Sequence, residues 1–546
     1  MAKYDDTTKT TNSTEDNSAQ LLASQALMQY WVLGEHQMAL NQEFFKALTG
    51  CSKITPAKGD RRFSDCTWES NPFYRALMQE YLAWQREMDA WIDDMGLDRI
   101  NTERLRFVAG LLTDAWAPTN TLLGNPAALK KAFETGGMSL TEGLKNLFKD
   151  MANNGGMPSQ VNKDAFKVGE NLANTPGSVV FRSELLELIQ YAPTTDQVHK
   201  RPLFIVPPQI NKFYIHDLSP GRSMVEFAVA QGFQVFIVSW RNPTKEQREW
   251  GLDSYVAALD EAVDVTCQIT GEKDVNIHGT CAGGITSAIL LGHWAARGVP
   301  KANSLSLAVS LLDMSGFEQS SLGLFTTPQI LELAKTTSGI SGVLDGNKLG
   351  HLFAWLRPND LVWAYWVNNY LMGNEPPSFD LLYWNNDTNS MPAQLHADFI
   401  GMMNDNPLLE SGRRTICETP IDLKKVTCDT YIVGGMTDHI TPWEACYQST
   451  SVFGGDTQFV LNSSGHVQTL VNPPGNPKTK YFTSDSTPED PVAFLEGATE
   501  NTGSWWEHWM NWLAPRSGDR KPAPKQLGSR KHPAKEAAPG TYVFEE

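Results

Sequence analysis

Apolar residues recur at helical spacing through the first third of the chain. Over 21–48 they recur at roughly helical spacing, and the same pattern returns over 71–92 and 102–117. Because side chains at that spacing share one face of an α-helix, the pattern predicts amphipathic helices. We therefore expect a helical N-terminal region over 19–180, preceded by a polar, disordered tail over 1–18.

A different pattern begins near residue 181. Short runs of continuous apolar residues alternate with helical patterns. These runs are PLFIV (202–206), FQVFIVSW (233–240), VNIH (275–278), SLSLAVSLL (304–312), TYIVGG (430–435) and TQFVLN (457–462). Strands that are apolar throughout are typical of a parallel sheet covered by helices on both faces. The pattern predicts an α/β catalytic domain over 181–546.

The runs at 304–312 and 430–435 are too far apart for a simple crossover, which predicts a cap insertion over about 313–427. Its aromatic-rich stretch AWLRPNDLVWAYWVNNYLMGNEPP would form either a core stripe or a cap over a pocket. Further on, SWWEHWMNWL (504–513) predicts a helix docked on the body of the protein, with an interface helix as the alternative. The Lys- and Pro-rich tail from about Ser517 is expected to be loosely ordered.

Composition narrows the class of function. The 546-residue chain carries a formal net charge of −17, which does not supply the basic face that nucleic acid requires. The start has no apolar signal segment, and no apolar run approaches the roughly 20 residues that span a bilayer, so we expect a cytoplasmic protein. Seven cysteines without a C-x-x-C pair, in a chain of this size, predict free thiols.

The motif NIHGTCAGG (276–284) is the clearest candidate for chemistry. It has the small residues and the strand-to-helix position of the G-x-S-x-G nucleophile elbow, with Cys281 in place of serine. A buried structural cysteine in a tight glycine turn is the alternative. An elbow on a parallel sheet predicts the α/β-hydrolase fold, here with the cap insertion between strands 6 and 7. It also predicts an acid after a later strand and a histidine after the last one.

Asp438 and His466 occupy those two places. Asp438 comes just past the run TYIVGG, and His466 ends the loop after the run TQFVLN. In such a triad the histidine takes the thiol proton, and the aspartate aligns the imidazole and stabilises its charged form. The oxyanion hole would use the backbone N–H of Ala282 and one N–H from the loop after PLFIVPPQIN.

Sulfur instead of oxygen favours acyl exchange. A cysteine acyl-enzyme is a thioester, so it forms from another thioester at little net change in free energy, whereas an oxygen ester would be a lower-energy sink. The site therefore suits relay of an acyl group from a thioester to an alcohol. The residues alone leave water open as the acceptor.

Three further polar residues are candidates for the site. His439 either faces the entrance of the pocket or is a turn residue after the acid. Asp217, in FYIHDLSPGRS, and Arg357, in LRPND, would each serve in a buried pair, as a cap or in the site.

From about Asp60 onward the chain resembles the poly(3-hydroxyalkanoate) synthases. The stretches that carry the resemblance include DRRFSDCTWESNPFY, PLFIVPPQINKFYIHDLSPGRS, NIHGTCAGG, LRPNDLVWAYWVNNYLMGNEPPSFDLLYWNNDT, TDHITPW and SSGHVQTLVNPPGNPK. The chain length and the stretches TDAWAPTNTLLGNPAALKKAFETGGMSL and SWRNPTKEQREWGL are similar to the medium-chain-length (class II) enzymes.

The resemblance implies the same nucleophile, base and acid as the residues do. By the same resemblance, His439 corresponds to the family's histidine after the acid. Arg357 corresponds to its arginine near the substrate channel, and Asp217 to its aspartate after the INK segment. The implied reaction is polymerisation of (R)-3-hydroxyacyl-CoA with release of CoA, at the surface of cytoplasmic storage granules. The implied form is a homodimer with a mobile cap over the cysteine, and no metal or other cofactor is implied.

Two other functions remain open. A cysteine hydrolase of esters or thioesters on the same scaffold, similar to the dienelactone hydrolases, would release free hydroxy acid instead of polymer. A non-catalytic granule coat protein would use the Trp-rich segment 504–513 and the cap aromatics as an adhesive face, and it would bind granules without needing the thiol.

Overall fold

The computed structural model describes residues 31–546. The predicted disordered tail over 1–18 and the start of the helix predicted over 21–48 lie outside the described residues. Within the described part, no helix combines the length and the apolarity needed to cross a membrane. All seven cysteines are free thiols, as predicted.

The chain divides into two compact units. The helical unit comprises the described chain up to Gln160 together with Arg357–Pro376, and the sheet unit comprises Val161–Leu356 together with Pro377–Glu546. The helical unit confirms the periodicity of the N-terminal region. Its helices are 31–48, Thr67–Ser70, Pro72–Asp94, Arg99–Ala115, Pro126–Glu134 and Met138–Asn153, with π-helical turns at Asn359–Trp363 and Trp366–Leu371.

Local sequence signals mark the starts of these helices. The side chain of Asn71 accepts hydrogen bonds from the N–H groups of Phe73 and Tyr74, and proline occupies the first position of the helix that follows. An Asn cap with a proline at the first turn is a strong start signal, because both satisfy or remove donors that the helix leaves unpaired. The buried side chains of this unit include one cluster formed by Phe63, Trp68, Met78, Tyr81 and Ala117.

The segment Arg357–Pro376 comes from the predicted cap insertion but packs within the helical unit. The Tyr370 hydroxyl donates to Asp150 at 2.7 Å, and the Asn369 side-chain amide donates to the Ser159 carbonyl at 2.7 Å. Both side chains are buried, so these polar groups require partners, and the helical unit supplies them. The predicted insertion is thus divided between the two units, and Tyr370 of this stretch contributes to a packed interior.

The sheet unit is built on a ten-stranded sheet. In chain order its strands are β1 (Gly177–Arg182), β2 (Leu186–Tyr191), β3 (Leu203–Val206), β4 (Val235–Trp240), β5 (Val275–Thr280), β6 (Ala302–Ala308), β7 (Asp429–Gly435), β8 (Thr457–Asn462), β9 (Lys480–Thr483) and β10 (Thr499–Thr502). All six predicted strands are present, as β3 to β8. The four outer strands carry no long apolar run and were not predicted, and β1 begins inside the region expected to be helical.

The spatial order of the strands is β1-β2-β4-β3-β5-β6-β7-β8-β9-β10. The six central strands, β4 to β8 in this order, run parallel, and antiparallel strands flank them on both sides. This is the α/β-hydrolase arrangement that the elbow predicts. The cap insertion lies between β6 and β7, the sixth and seventh strands, as expected.

Helices cover both faces of this sheet. Leu252–Thr270 and Ala282–Arg297 pack into one buried cluster, and Met224–Ala230 and Trp505–Leu513 pack into the other. Successive residues of β3 alternate between the two clusters, because neighbouring strand side chains point to opposite faces. The remaining helices of this unit are Pro328–Ser341, Gly346–Trp355, Asp380–Asn385, Ala393–Asp405, Trp443–Gln448, His466–Leu470 and Pro491–Gly497.

The C-terminal segment agrees with one prediction and contradicts another. Trp505, Trp506 and Trp509 are buried, so SWWEHWMNWL is a docked helix. The tail beyond it is ordered, and the prediction of loose order was wrong: its backbone pairs with β1 around Val179, and two of its N–H groups donate to the buried Glu187 carboxylate. The Lys and Pro content misled the prediction, because the tail gains its order by covering the sheet edge rather than by forming a core.

Candidate active site

Cys281 lies in a strained turn between β5 and the helix Ala282–Arg297. Its backbone has φ +49° and ψ −123°, a conformation that non-glycine residues rarely adopt. A Cβ atom at Gly283 would lie 2.4 Å from the carbonyl oxygens of Val206, at the end of β3, and Pro207, so only glycine allows this close approach. The elbow geometry predicted from NIHGTCAGG is therefore present, with the thiol side chain partly exposed at the start of a helix.

Asp438 and His466 meet at the carboxyl ends of β7 and β8. His466 Nδ1 lies 2.7 Å from Asp438 Oδ2, and both residues are buried. Because Nδ1 is engaged by the carboxylate, Nε2 is the nitrogen left for the thiol, and Cys281 lies near enough to contribute to the raised pKa of His466. The structure thus brings together the three side chains that the sequence placed far apart along the chain.

The charges of this group are coupled. Burial alone lowers the pKa of His466, but the Asp438 carboxylate, with a smaller contribution from the Cys281 thiol, raises it to about 10. Burial alone raises the pKa of Asp438. The nearby His466 imidazole and the hydrogen bonds from His466 and Thr441 bring the pKa of this carboxyl below its usual value. The arrangement therefore favours a charged imidazole beside an ionised carboxylate, which is what a base needs once it has accepted a proton.

Sequence reasoning missed the groups that hold the carboxylate. Asp438 Oδ1 accepts the backbone N–H groups of Ile440 and Thr441, each at 2.9 Å, and Oδ2 accepts the Thr441 hydroxyl at 2.7 Å. An aspartate that bonds the backbone two and three residues later is a common turn motif. The spacing D-x-x-T in TDHITPW was the available signal for these partners.

Of the two donors predicted for the oxyanion hole, the Ala282 N–H is the one whose place beside the thiol is fixed by the chain. Ala282 is the first residue of the helix and is buried, so its N–H lies next to the thiol along the chain. In the loop after β3, Pro207 and Pro208 have no N–H group, so Gln209 is the first residue of that loop able to donate one. The Gln209 side chain is buried and donates to the Thr286 hydroxyl at 3.0 Å, which holds the loop on the elbow helix.

The other predicted site residues have different surroundings. His439 is partly buried beside Asp438, and its carbonyl accepts the N–H of Ser321 from the insertion at 3.2 Å. Asp217 is fully buried and accepts hydrogen bonds from Thr175, Ser223 and Tyr191. Burial raises the pKa of Asp217. These contacts surround the buried carboxyl with hydroxyl donors, and the site role of Asp217 stays a prediction.

Arg357 belongs to the helical unit. Its guanidinium pairs with Asp360, one turn further along the same segment, and its side chain is about half exposed at 46%. These observations describe a surface ion pair, and the channel role implied by the resemblance stays a prediction.

The chain can now be compared with known proteins. The family described as the poly-beta-hydroxybutyrate polymerase (PhaC) N-terminus matches residues 59–228, and the alpha/beta hydrolase fold family matches residues 202–473. Poly(3-hydroxyalkanoate) polymerase 1 of Ectopseudomonas oleovorans is 53% identical over 529 residues, which cover 97% of this chain and 94% of the relative. The chain belongs to the poly(3-hydroxyalkanoate) polymerase family.

Two further polymerases show how the similarity is distributed. Poly(3-hydroxyalkanoate) polymerase 2 of Ectopseudomonas oleovorans is 49% identical over 93% of this chain and 90% of its own length. The poly(3-hydroxyalkanoate) polymerase subunit PhaC of Cupriavidus necator is 39% identical over 94% of this chain and 88% of its own length. This ranking agrees with the resemblance to the medium-chain-length enzymes.

Proposed function

We propose that this polymerase builds poly(3-hydroxyalkanoate) from (R)-3-hydroxyacyl-CoA through a thioester on Cys281, with His466 as base and Asp438 as the orienting acid. The observation that carries the proposal is the 2.7 Å contact between Asp438 and His466 next to the strained elbow, where the Cys281 thiol contributes to the raised pKa of His466. Membership of the polymerase family supports poly(3-hydroxyalkanoate) as the product, and the arrangement of Asp438, His466 and Cys281 supports the proposed route to it.

The first step transfers the acyl group from CoA to the enzyme. His466 Nε2 takes the thiol proton, and the sulfur of Cys281 attacks the thioester carbonyl. The resulting oxyanion is stabilised by the Ala282 N–H, since backbone donors at a helix start favour negative charge. The carbon–sulfur bond to CoA then breaks, and the CoA thiolate takes the proton from His466. One thioester replaces another, so the step is close to balanced in free energy.

The second step makes the ester bond. His466 takes the proton of the 3-hydroxyl of another acyl-CoA, and that oxygen attacks the Cys281 thioester. The carbon–sulfur bond breaks as the ester forms, and the proton passes from His466 to the Cys281 sulfur. The lengthened chain still ends in a CoA thioester, so it can be loaded on Cys281 again with release of CoA. These steps use no metal or other cofactor, and we expect a chelator to leave the rate unchanged.

The test is CoA release together with the identity of the product. Cys281→Ala should abolish CoA release from (R)-3-hydroxyacyl-CoA, whereas Cys267→Ala, which removes another partly buried thiol, should leave it within twofold of wild type. Turnover retained by Cys281→Ala would discard the mechanism. Free hydroxy acid in place of polymer from the wild type would identify a hydrolase, and binding to granules without CoA release would identify a coat protein.

Substrate range and assembly extend the proposal. From the resemblance to the class II enzymes we infer that medium-length acyl-CoA esters are used faster than the four-carbon ester, which a series of chain lengths tests directly. We also infer a cytoplasmic homodimer acting at the surface of storage granules. Sedimentation of the purified chain and the location of a fluorescent fusion in polymer-producing cells test these two statements.

A further inference from the structure

The chain turns sharply where it leaves β6, the strand between the nucleophile's strand and the acid's strand. The Ala308 carbonyl accepts the N–H of Cys281 at 2.9 Å, and the Val309 N–H donates to the Val433 carbonyl on β7 at 2.9 Å. Val309 is fully buried and has φ +47°, which is an outlier for a β-branched residue. This strained turn joins both neighbouring strands and brings Ser310 beside the elbow.

The Ser310 hydroxyl contacts the nucleophile's own carbonyl. Ser310 is fully buried, and its Oγ donates to the Cys281 carbonyl oxygen at 3.0 Å. Oγ also lies 3.1 Å from the Ala308 carbonyl, so its single proton serves one of two acceptors at a time. A Cβ atom at position 284 would come within 2.1 Å of this oxygen, and Gly284 is therefore what admits the hydroxyl.

We propose that Ser310 is a positioning residue for the polymerisation, acting through the peptide that joins Cys281 to Ala282; this inference rests on the proposed function. The carbonyl that Ser310 contacts and the Ala282 N–H that would stabilise the oxyanion belong to the same peptide group. A donor on the carbonyl polarises the N–H of that peptide and strengthens it as a donor. The same bond also opposes rotation of the peptide, so it keeps the N–H directed toward the reacting carbonyl.

A purely structural role for Ser310 makes different predictions. The Cys281 carbonyl also accepts the helix N–H groups of Gly284 and Ile285, so the elbow does not lose all its bonds when the hydroxyl is removed. A structural role would lower stability without a specific loss in the acyl-transfer step. A positioning role would lower kcat, leave KM unchanged, and leave reactions of the thiol that form no oxyanion unchanged.

The experiment compares Ser310→Ala with Ser306→Ala. Ser306 is an equally buried serine on β6 whose hydroxyl accepts the Trp509 indole N–H at 2.8 Å and is not part of the site. For each variant we would measure the melting temperature, kcat and KM for CoA release from (R)-3-hydroxyacyl-CoA, and the rate of alkylation at Cys281 by iodoacetamide, followed by peptide mass spectrometry. Alkylation needs the thiol but no oxyanion hole. Ser310→Thr retains a hydroxyl and separates the hydrogen bond from packing.

Ser310→Ala should lower kcat about tenfold, less than the 10²–10³ typical for loss of an oxyanion donor itself. Its KM and alkylation rate should stay within twofold, and Ser310→Thr should keep more of kcat than Ser310→Ala even if its added methyl lowers the melting temperature. A Ser310→Ala kcat within twofold of wild type, or an equal loss in Ser306→Ala, overturns the role of Ser310. If Cys281→Ala is inactive in the same assay, only this inference fails; if Cys281→Ala still releases CoA, the proposed function fails as well.

Discussion

Asp438→Asn is the sharpest test of how the site works. Oδ1 of the carboxylate accepts two backbone N–H groups. Oδ2 accepts the Thr441 hydroxyl and contacts His466 Nδ1. An asparagine retains the Oδ1 acceptor, and Thr441 can rotate its hydroxyl to meet an amide. His466 cannot adapt without cost, because an amide N–H facing Nδ1 forces the ring proton onto Nε2, the atom that must accept the thiol proton.

The structure gives the size of the effect. The pKa of His466 is raised from 6.5 to about 10, with the Asp438 charge the largest raising influence. At about 1.36 kcal/mol per unit, the charged imidazole is favoured by on the order of 5 kcal/mol relative to an ordinary histidine. Losing most of this stabilisation of the charged imidazole, together with the productive tautomer of His466, should lower kcat by about 10³–10⁴-fold. Activity should fall more than stability, since the backbone bonds to Oδ1 remain.

The assay is CoA release under saturating substrate, with urea unfolding of the same preparations. The matched control is Asp398→Asn, a partly buried carboxylate that accepts the N–H of Leu252 and pairs with Arg414. We expect that control to lose stability and keep kcat. A kcat of Asp438→Asn within tenfold of wild type would refute the reasoning, and a loss explained entirely by unfolding would make Asp438 a structural residue.

Three other substitutions test the surroundings of the site. His278, buried below the elbow, has a pKa lowered by burial and by its neighbour His216, whose pKa burial lowers to about 3. Only the unfolded chain takes up these protons, so stability should fall as pH drops below about 6.5, by up to about 1.4 kcal/mol per pH unit per histidine. In urea unfolding at pH 7, 6 and 5, His278→Phe should show a shallower fall; parallel curves would contradict this. Gly283→Ala should abolish CoA release, because its Cβ meets the carbonyls at the end of β3, whereas Gly339→Ala, in open space on a helix, should be tolerated. Asp217→Asn should lower the melting temperature by several degrees and keep kcat within threefold; a larger loss of kcat would return this residue to the site.

The centre of the sheet was predictable from sequence, and its edges were not. Strands β3, β4 and β5 are buried throughout, and β6, β7 and β8 are buried beyond their first one or two residues, so these strands appear as mainly apolar runs in the sequence. Strands β9 and β10 are largely exposed or partly buried, and β10 reads TENT, which carries no apolar signal. Their pairing depends on neighbours that only the fold supplies, and the same is true of the tail that covers β1.

The division of the insertion had no local signal either. Residues of Arg357–Pro376 join the helical unit through single hydrogen bonds to partners more than two hundred positions earlier, such as Tyr370 to Asp150. An aromatic-rich helical stretch predicts that something covers it, but not which part of the chain does so. Long-range polar contacts of this kind are specified by complementary geometry rather than by periodicity, so the sequence pattern left open the choice between core and cap.

The candidate triad was predictable because fold and chemistry constrain the same three positions, whereas the support that Ser310 gives to the elbow follows from strand order alone. The nucleophile follows β5 and the acid follows β7, and β6 lies between them in the sheet. The residues that follow β6 must therefore pack beside both the nucleophile and the acid, although nothing in SLAVSLL resembles a catalytic motif. That position explains why a strained valine and a buried serine lie one hydrogen bond from the elbow. It also indicates where to look for positioning residues in related sheets: at the end of the strand that separates the nucleophile from the acid.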